Sequence, residues 1–201
     1  MKSMDVKKSV KRIRYNSPVI LTFTLICFVA MILGSITDSW TTNKFFVNYR
    51  SSFFDPMMYI RMFTHIIGHA SWDHFFGNFM IILILGPIVE EKYGSKKLLI
   101  MILITAFITG VLNVLFFKSG LLGASGIAFM LIIISSFVNV RSGDIPLTFL
   151  IVIIFFLGKE VFNGIISKDN ISQFAHIVGG MCGSIYGFKS LKWLRRLSNE
   201  E

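Results

Sequence analysis

KSGLLGASGIAFMLIIISSFVNVR, residues 118–141, is the stretch on which the reading of this chain turns. No charge falls between its two ends. About 20 apolar residues at 1.5 Å rise cross a hydrocarbon core ~30 Å thick, so this is a candidate membrane-spanning helix. Near its start stands Gly123-Ala124-Ser125-Gly126. That places a hydroxyl at a helix entrance, between glycines that admit a close backbone, either a substrate's or a neighbouring helix's. Small residues in membrane helices are most often packing contacts, and Gly-x-Ser-Gly arises often by chance. Ser125 therefore becomes a candidate nucleophile only if a base and oxyanion donors are brought to it.

The composition around this stretch agrees with a membrane setting. The chain of 201 residues is 54% hydrophobic and holds 21 Phe, with a mean hydropathy of +0.69. Such values point to a polytopic membrane protein with one domain. A net charge of +9 would suit a nucleic-acid partner. The basic residues stand at the ends of apolar spans, however, so no nucleic acid is expected. Cys27 and Cys182 lie far apart in apolar surroundings, without disulfide or metal-ligand spacing, and read as small packing residues.

Predominantly apolar spans recur at about residues 19–36, 74–89, 97–117, 120–140, 146–162 and 173–188, six in all. The first is longer than the apolar core of a signal peptide and lacks a convincing cleavage site, so it reads as an uncleaved helix. Residues 1–18 form a basic segment, 19–190 the membrane domain and 191–201 a tail. Between the first two spans, residues 37–73 form a mixed segment rich in aromatics and broken by Pro56, expected to be an interfacial loop with short helices. Placing the N-terminus, the loops at 90–97 and 139–145 and the C-terminal end from Lys189 onward on one side puts 14 of the 20 Lys and Arg there. By the positive-inside tendency both termini are expected to be cytoplasmic, in a cell membrane.

This topology gathers the polar chemistry at the opposite, outer face. All four histidines, His65, His69, His74 and His176, fall there with Asn78 and Ser125. His74 and Asn78 are four residues apart, share one helical face and can both donate hydrogen bonds. His176 is followed by Gly179, Gly183 and Gly187, a stripe at four-residue spacing that lets two helices touch. If the helix carrying Gly126 and Ala128 packs there, His176 reaches Ser125. A serine hydroxyl needs such a base, and an acyl-transfer intermediate needs oxyanion donors, which the Ser125 backbone N–H, His74 and Asn78 would supply. No carboxylate is placed to orient His176, so a Ser-His dyad is expected, the imidazole held by packing against Phe129.

Taken in order, the chain resembles the rhomboid family of intramembrane serine proteases. The resemblance covers roughly residues 57–189. It rests on Tyr59-Ile60-Arg61-Met62-Phe63-Thr64-His65 leading to His69, on His74-Phe75-Phe76-Gly77-Asn78, on Gly86 with Val89-Glu90 and Gly94-Ser95, on Gly123-Ala124-Ser125-Gly126, and on Ala175-His176-Ile177-Val178-Gly179 with Gly183. It implies an all-α, six-transmembrane-helix bundle with a partly embedded first loop, in which Arg61 is structural. It further implies Ser125 as nucleophile, His176 as general base, His74 and Asn78 as oxyanion donors, and transmembrane segments of other proteins as substrates in the lipid bilayer. Gly123, Gly126, Phe129 and Gly179 support the site. Two positions depart from the family's pattern: many members have an aromatic residue where this chain has Ile60, and a Tyr where it has Phe129.

Other readings stand beside this one. The resemblance implies that His65 and His69 are structural or loop-anchoring; alternatively, with Asp73 they could hold zinc in a hydrolase of lipid amides, or the chain could be a rhomboid-like protein that binds membrane helices without cutting them. The protease reading implies neither metal nor organic cofactor. Glu90 and Glu91 are expected to hold a loop by pairing or capping. Lys159 and Glu160 would face the interface or a polar cavity, and Asn113 and Asn163 would make interhelical hydrogen bonds or line that cavity.

Overall fold

A computed structural model of the chain describes residues 14–140, 144–158 and 171–198. These residues are helical, with no β-strand among them. The helices are α1 (Pro18–Ile36), α2 (Trp40–Phe45), α3 (Pro56–Thr64), α4 (Trp72–Tyr93), α5 (Ser95–Phe116), α6 (Ser125–Ser135), α7 (Leu147–Val152), which runs on as a π-helical stretch Ile153–Leu157, and α8 (Ile171–Ser198). Lys159, Glu160 and Asn163 lie outside the described residues, as do the basic residues before Arg14.

Three of the described helices, α1, α4 and α5, are long and apolar enough to cross a bilayer. Their outward faces remain apolar: Leu25, Val29 and Leu33 on α1, and Met80, Ile84 and Ile88 on α4, are all exposed. Rows of this kind suit hydrocarbon and would be costly in water. α8 is longer, but Gln173, His176 and its glycines dilute its apolar character.

α6 is the exception. The expected span of residues 120–140 shortens to an 11-residue helix, and every residue from Gly126 to Ile134 is buried. α6 touches α4, α5, α7 and α8, so protein surrounds it on all sides. Its shortening has a local cause. Residues 118–124 are held out of the helix by hydrogen bonds to other parts of the chain, which leaves Ser125 as the first helical residue.

α6 and α8 run parallel and touch through backbone. A Cβ on Gly126 would stand 3.2 Å from the Ala175 carbonyl, one on Gly179 2.0 Å from the Gly126 carbonyl, and one on Gly183 2.5 Å from the Met130 carbonyl. Contacts therefore advance together along both helices. The glycine spacing of α8 anticipates this approach, which brings the start of α6 level with Ala175 and His176.

The opposite end of the bundle is closed by Glu90. Its carboxylate is 4% exposed and accepts from the backbone N–H groups of Val19 and Ile20, at 3.0 and 3.1 Å, and from Ser95 Oγ at 2.7 Å. Those two N–H groups belong to the first turn of α1, where no intrahelical partner exists and the helix dipole favours an anion. Nearby, Gly86 of α4 receives the Ile20 side chain, whose Cδ1 would lie 2.5 Å from an added Cβ. Glu90→Ala is expected to destabilise the fold by about 2–3 kcal/mol, because charge-assisted bonds are lost and buried donors are left unpaired. Glu90→Gln, which keeps one acceptor, should cost about half as much. Thermal unfolding in detergent micelles would check this.

Candidate active site

The segment that delivers Ser125 is built by the mixed region between α1 and α4. Asn48 and Leu121 exchange backbone hydrogen bonds at 2.9 and 2.8 Å. Asn113 Nδ2 donates to the Asn48 carbonyl at 3.0 Å, and Asn48 Nδ2 donates to the Gly110 carbonyl at 2.9 Å. The Gly123 N–H donates to the His65 carbonyl at 2.9 Å. Asn113, in the apolar run of α5, thus ties that helix to the non-helical segment at Asn48 and does not make the interhelical bond that its place in the sequence suggested. Arg61, buried on α3, stiffens the same region through Asp55 at 2.7 Å and Tyr49 Oη at 2.8 Å.

The last anchor is His69. The Ala124 N–H donates to His69 Nε2 at 3.3 Å, and His69 Nδ1 lies 3.2 Å from the Ile67 carbonyl. An acceptor at Nε2 and a donor at Nδ1 define a single neutral tautomer. Burial pushes its pKa down to about 4; nearby His74 adds to the shift and the bond to Ile67 opposes it. Between pH 4 and the ordinary histidine range the unfolded chain binds the extra proton and the folded chain does not. Stability from this group is complete above about pH 6.5 and is lost as pH falls toward 4. Acidifying from pH 7 to pH 5 is expected to cost on the order of 2 kcal/mol from His69. His65, pushed down to about 4 by burial, adds in the same direction. The check is a pH series of unfolding midpoints, in which His69→Gln should be distinctly less acid-sensitive than the wild type.

Gly123 and His74 fit together. Gly123 has φ +119, in the region that disfavours side chains, and a Cβ there would sit 2.5 Å from His74 Cε1. The imidazole thus lies over the backbone two residues before Ser125. Its helix begins there because Ser71 caps α4, its Oγ accepting from the His74 N–H at 3.1 Å. One turn further along α4, Asn78 is 7% exposed, and its Nδ2 makes no hydrogen bond among the described residues. A buried amide donor without a partner is costly unless a ligand supplies the acceptor.

Across the site, the His176 ring stacks on Phe129 with centroids 4.1 Å apart and planes 7° apart. Phe129 stands one helical turn beyond Ser125, on the same face of α6. His176 and His74 are also electrostatic neighbours. Ser125, His176, His74 and Asn78 therefore meet at one end of the bundle. A hydroxyl, an imidazole and a set of N–H donors in this arrangement have the components of acyl transfer through a serine ester.

His65 stands apart. Its Nε2 faces the Ala106 carbonyl at 3.0 Å, and both ring nitrogens of His69 are already engaged. These two imidazoles are fastened to backbone and are not presented together to a zinc ion. Sequence reasoning missed Asn48, while the bonds of His69 to Ala124 and Ile67 agree with the structural or loop-anchoring role that the resemblance implied for it. An Asn in a mixed segment carries no periodic signal, and its partners lie more than 60 residues away.

Comparison with known proteins shows the family of the chain. The family model for the Rhomboid domain matches residues 56–193, more than half of the chain. The protein is 30% identical over 111 residues to the rhomboid protease GlpG of Salmonella choleraesuis, an alignment covering 54% of this chain and 40% of that relative. It is 31% identical over 111 residues, with the same coverage, to the proteins of that name from Salmonella newport and Salmonella typhimurium. The match thus spans less than half the length of these curated relatives.

Proposed function

The chain belongs to the rhomboid family, and from that premise we propose that it is an intramembrane serine endopeptidase that cuts transmembrane segments of other membrane proteins near the outer face. In this reading residues 19–190 cross a cell membrane six times, both termini are cytoplasmic, and the region holding α2 and α3 is a loop partly embedded in the outer leaflet. Membrane character is supported by the apolar outer faces of α1, α4 and α5.

The chemistry proceeds through a dyad. A substrate helix enters laterally and unwinds locally, exposing a peptide carbonyl to Ser125. Ser125 Oγ attacks the carbonyl carbon as His176 takes its proton. The oxyanion receives hydrogen bonds from the Ser125 N–H, His74 and Asn78 Nδ2. Collapse breaks the C–N bond, and His176 passes the proton to the departing amine. Water entering from the outer face then attacks the ester, again with His176 as base, which frees the new carboxylate and restores Ser125. The observation that carries this reading is the stack of His176 on Phe129, the residue one helical turn beyond Ser125 on α6.

The test is cleavage of a single-span substrate by the purified full chain in liposomes, with and without a chelator. Two product fragments, unchanged by the chelator, are expected. Cleavage that the chelator abolishes would favour the zinc hydrolase. Retention of the substrate helix without cleavage would favour a binding protein.

A further inference from the structure

The end of the bundle that holds Ser125 carries a second buried amide, which the proposed dyad does not use. Gln173 stands near the start of α8, and its side-chain Oε1 is buried without a hydrogen-bond partner among the described residues. Asn48, Asn113 and His65 also leave one side-chain atom each without a partner. Each of those is fastened through its other atom, at 2.9, 3.0 and 3.0 Å respectively. For Gln173 no such second bond is present among the described residues. A buried acceptor left open costs stability unless a ligand brings the donor.

The neighbours of Gln173 fix its place. Phe174 packs on Phe117 with ring centroids 4.7 Å apart, and a Cβ on Gly126 would stand 3.2 Å from the Ala175 carbonyl. The start of α8 is therefore held against the end of α5 and the start of α6, with Ala175 level with the residue after Ser125. Three residues separate Gln173 from His176, which puts both on one side of α8, Gln173 about 4.5 Å nearer the helix start. Successive residues of an extended strand advance about 3.3 Å. An acceptor at that offset from the base meets a backbone N–H one or two residues from the scissile bond. Gln173 as a whole remains partly exposed, and rotation about its side-chain bonds turns the amide toward such a strand.

We propose that Gln173 is a substrate-binding residue whose Oε1 accepts a hydrogen bond from a backbone N–H of the unwound substrate, beside the peptide bond that Ser125 attacks. The inference rests on the protease reading and adds to it a residue that holds the substrate's main chain. A backbone N–H is present at every residue except proline, so Gln173 would set the register of the strand without selecting a side chain. It complements Asn78: Asn78 Nδ2 is an open donor for the oxyanion, and Gln173 Oε1 an open acceptor for an amide nearby. A glutamine that only filled space at the helix start would leave cleavage indifferent to which substrate amides carry a hydrogen.

The experiment removes the bond from each side in turn. Synthetic single-span substrates carry an ester in place of one backbone amide, placed in turn at the residues flanking the scissile bond, with the scissile amide kept. They are cleaved in liposomes by the wild type and by Gln173→Met, which keeps the side-chain length and lacks the acceptor. One ester position should lower kcat/KM of the wild type by about 30-fold, and Gln173→Met should lose a similar factor on the all-amide substrate. The same ester should cost Gln173→Met no more than about twofold further, since the bond is already gone. Gln173→Leu, which also lacks the acceptor, should behave alike. Labelling of Ser125 by a fluorophosphonate, a probe with no backbone N–H, should proceed in both variants at the wild-type rate. Equal ester penalties in wild type and variants, cleavage by Gln173→Met at the wild-type rate, or a fall in labelling that matches the fall in cleavage would each overturn the assignment and leave the protease reading in place. A wild type that cleaves no substrate and takes no label would overturn the protease reading, and this inference with it.

Discussion

Ser125→Ala is expected to lower substrate cleavage by at least about 10⁴-fold, the loss seen when a serine hydrolase loses its nucleophile and keeps its binding site. The unfolding midpoint should hardly move, because Ser125 sits at the first turn of α6, is only partly buried, and shares in none of the bonds that fix residues 118–124. The bonds to Asn48, His65 and His69 fall on Leu121, Gly123 and Ala124 and would survive. A loss of activity at unchanged stability separates a chemical role from a structural one. His176→Phe makes a sharper partner than His176→Ala. It keeps a ring to stack on Phe129 while removing the base, and should reduce cleavage by a similar factor. Combining the two should cost little more than either alone, since the residues act as one unit.

Gly179→Val should disable the protein by a different route. A Cβ at this position would stand 2.0 Å from the Gly126 carbonyl oxygen and 2.8 Å from its carbon, and both atoms are backbone. No rotamer change relieves that clash, so α6 and α8 must separate by more than 1 Å. The lost packing is expected to cost about 3 kcal/mol or more. Even in molecules that remain folded, a displacement of about 1 Å between His176 and Ser125 should reduce cleavage by about 100-fold. Gly77→Ala supplies the control. Nothing lies within 4 Å of the Cβ it would add, and replacing a glycine within a helix should stabilise by up to about 1 kcal/mol. Opposite signs at two helical glycines would show that close approach, and not glycine content, sets the effect.

Much of the frame was legible in the sequence. The apolar runs of α1, α4 and α5 exceed what a soluble core helix needs, so their length alone announced them. The Gly179, Gly183 and Gly187 spacing anticipated a helix at van der Waals distance, and Gly126 and Met130 of α6 supply it. What escaped was non-local. Glu90 was visible as a capping or pairing carboxylate, yet its partner helix begins about 70 residues earlier. The bracing of residues 118–124 by Asn48, Asn113 and His69 depends on a folded mixed segment in which no periodicity exists to read. The same bracing explains why α6 begins at Ser125, and not at residue 120 as hydropathy suggested. Hydropathy registers apolar length; it does not register that a non-helical backbone has found hydrogen-bond partners elsewhere.

In the proposed mechanism His176 activates Ser125. Its most direct measurement is covalent labelling of the purified, detergent-solubilised chain by a fluorophosphonate, with the modified residue located by peptide mass spectrometry. Such probes react with a serine that a base has activated. Labelling at Ser125 that is insensitive to a chelator and absent from both Ser125→Ala and His176→Phe is the expected result. A wild type that stays unlabelled where a known membrane serine protease reacts, or labelling that persists in His176→Phe, would contradict it.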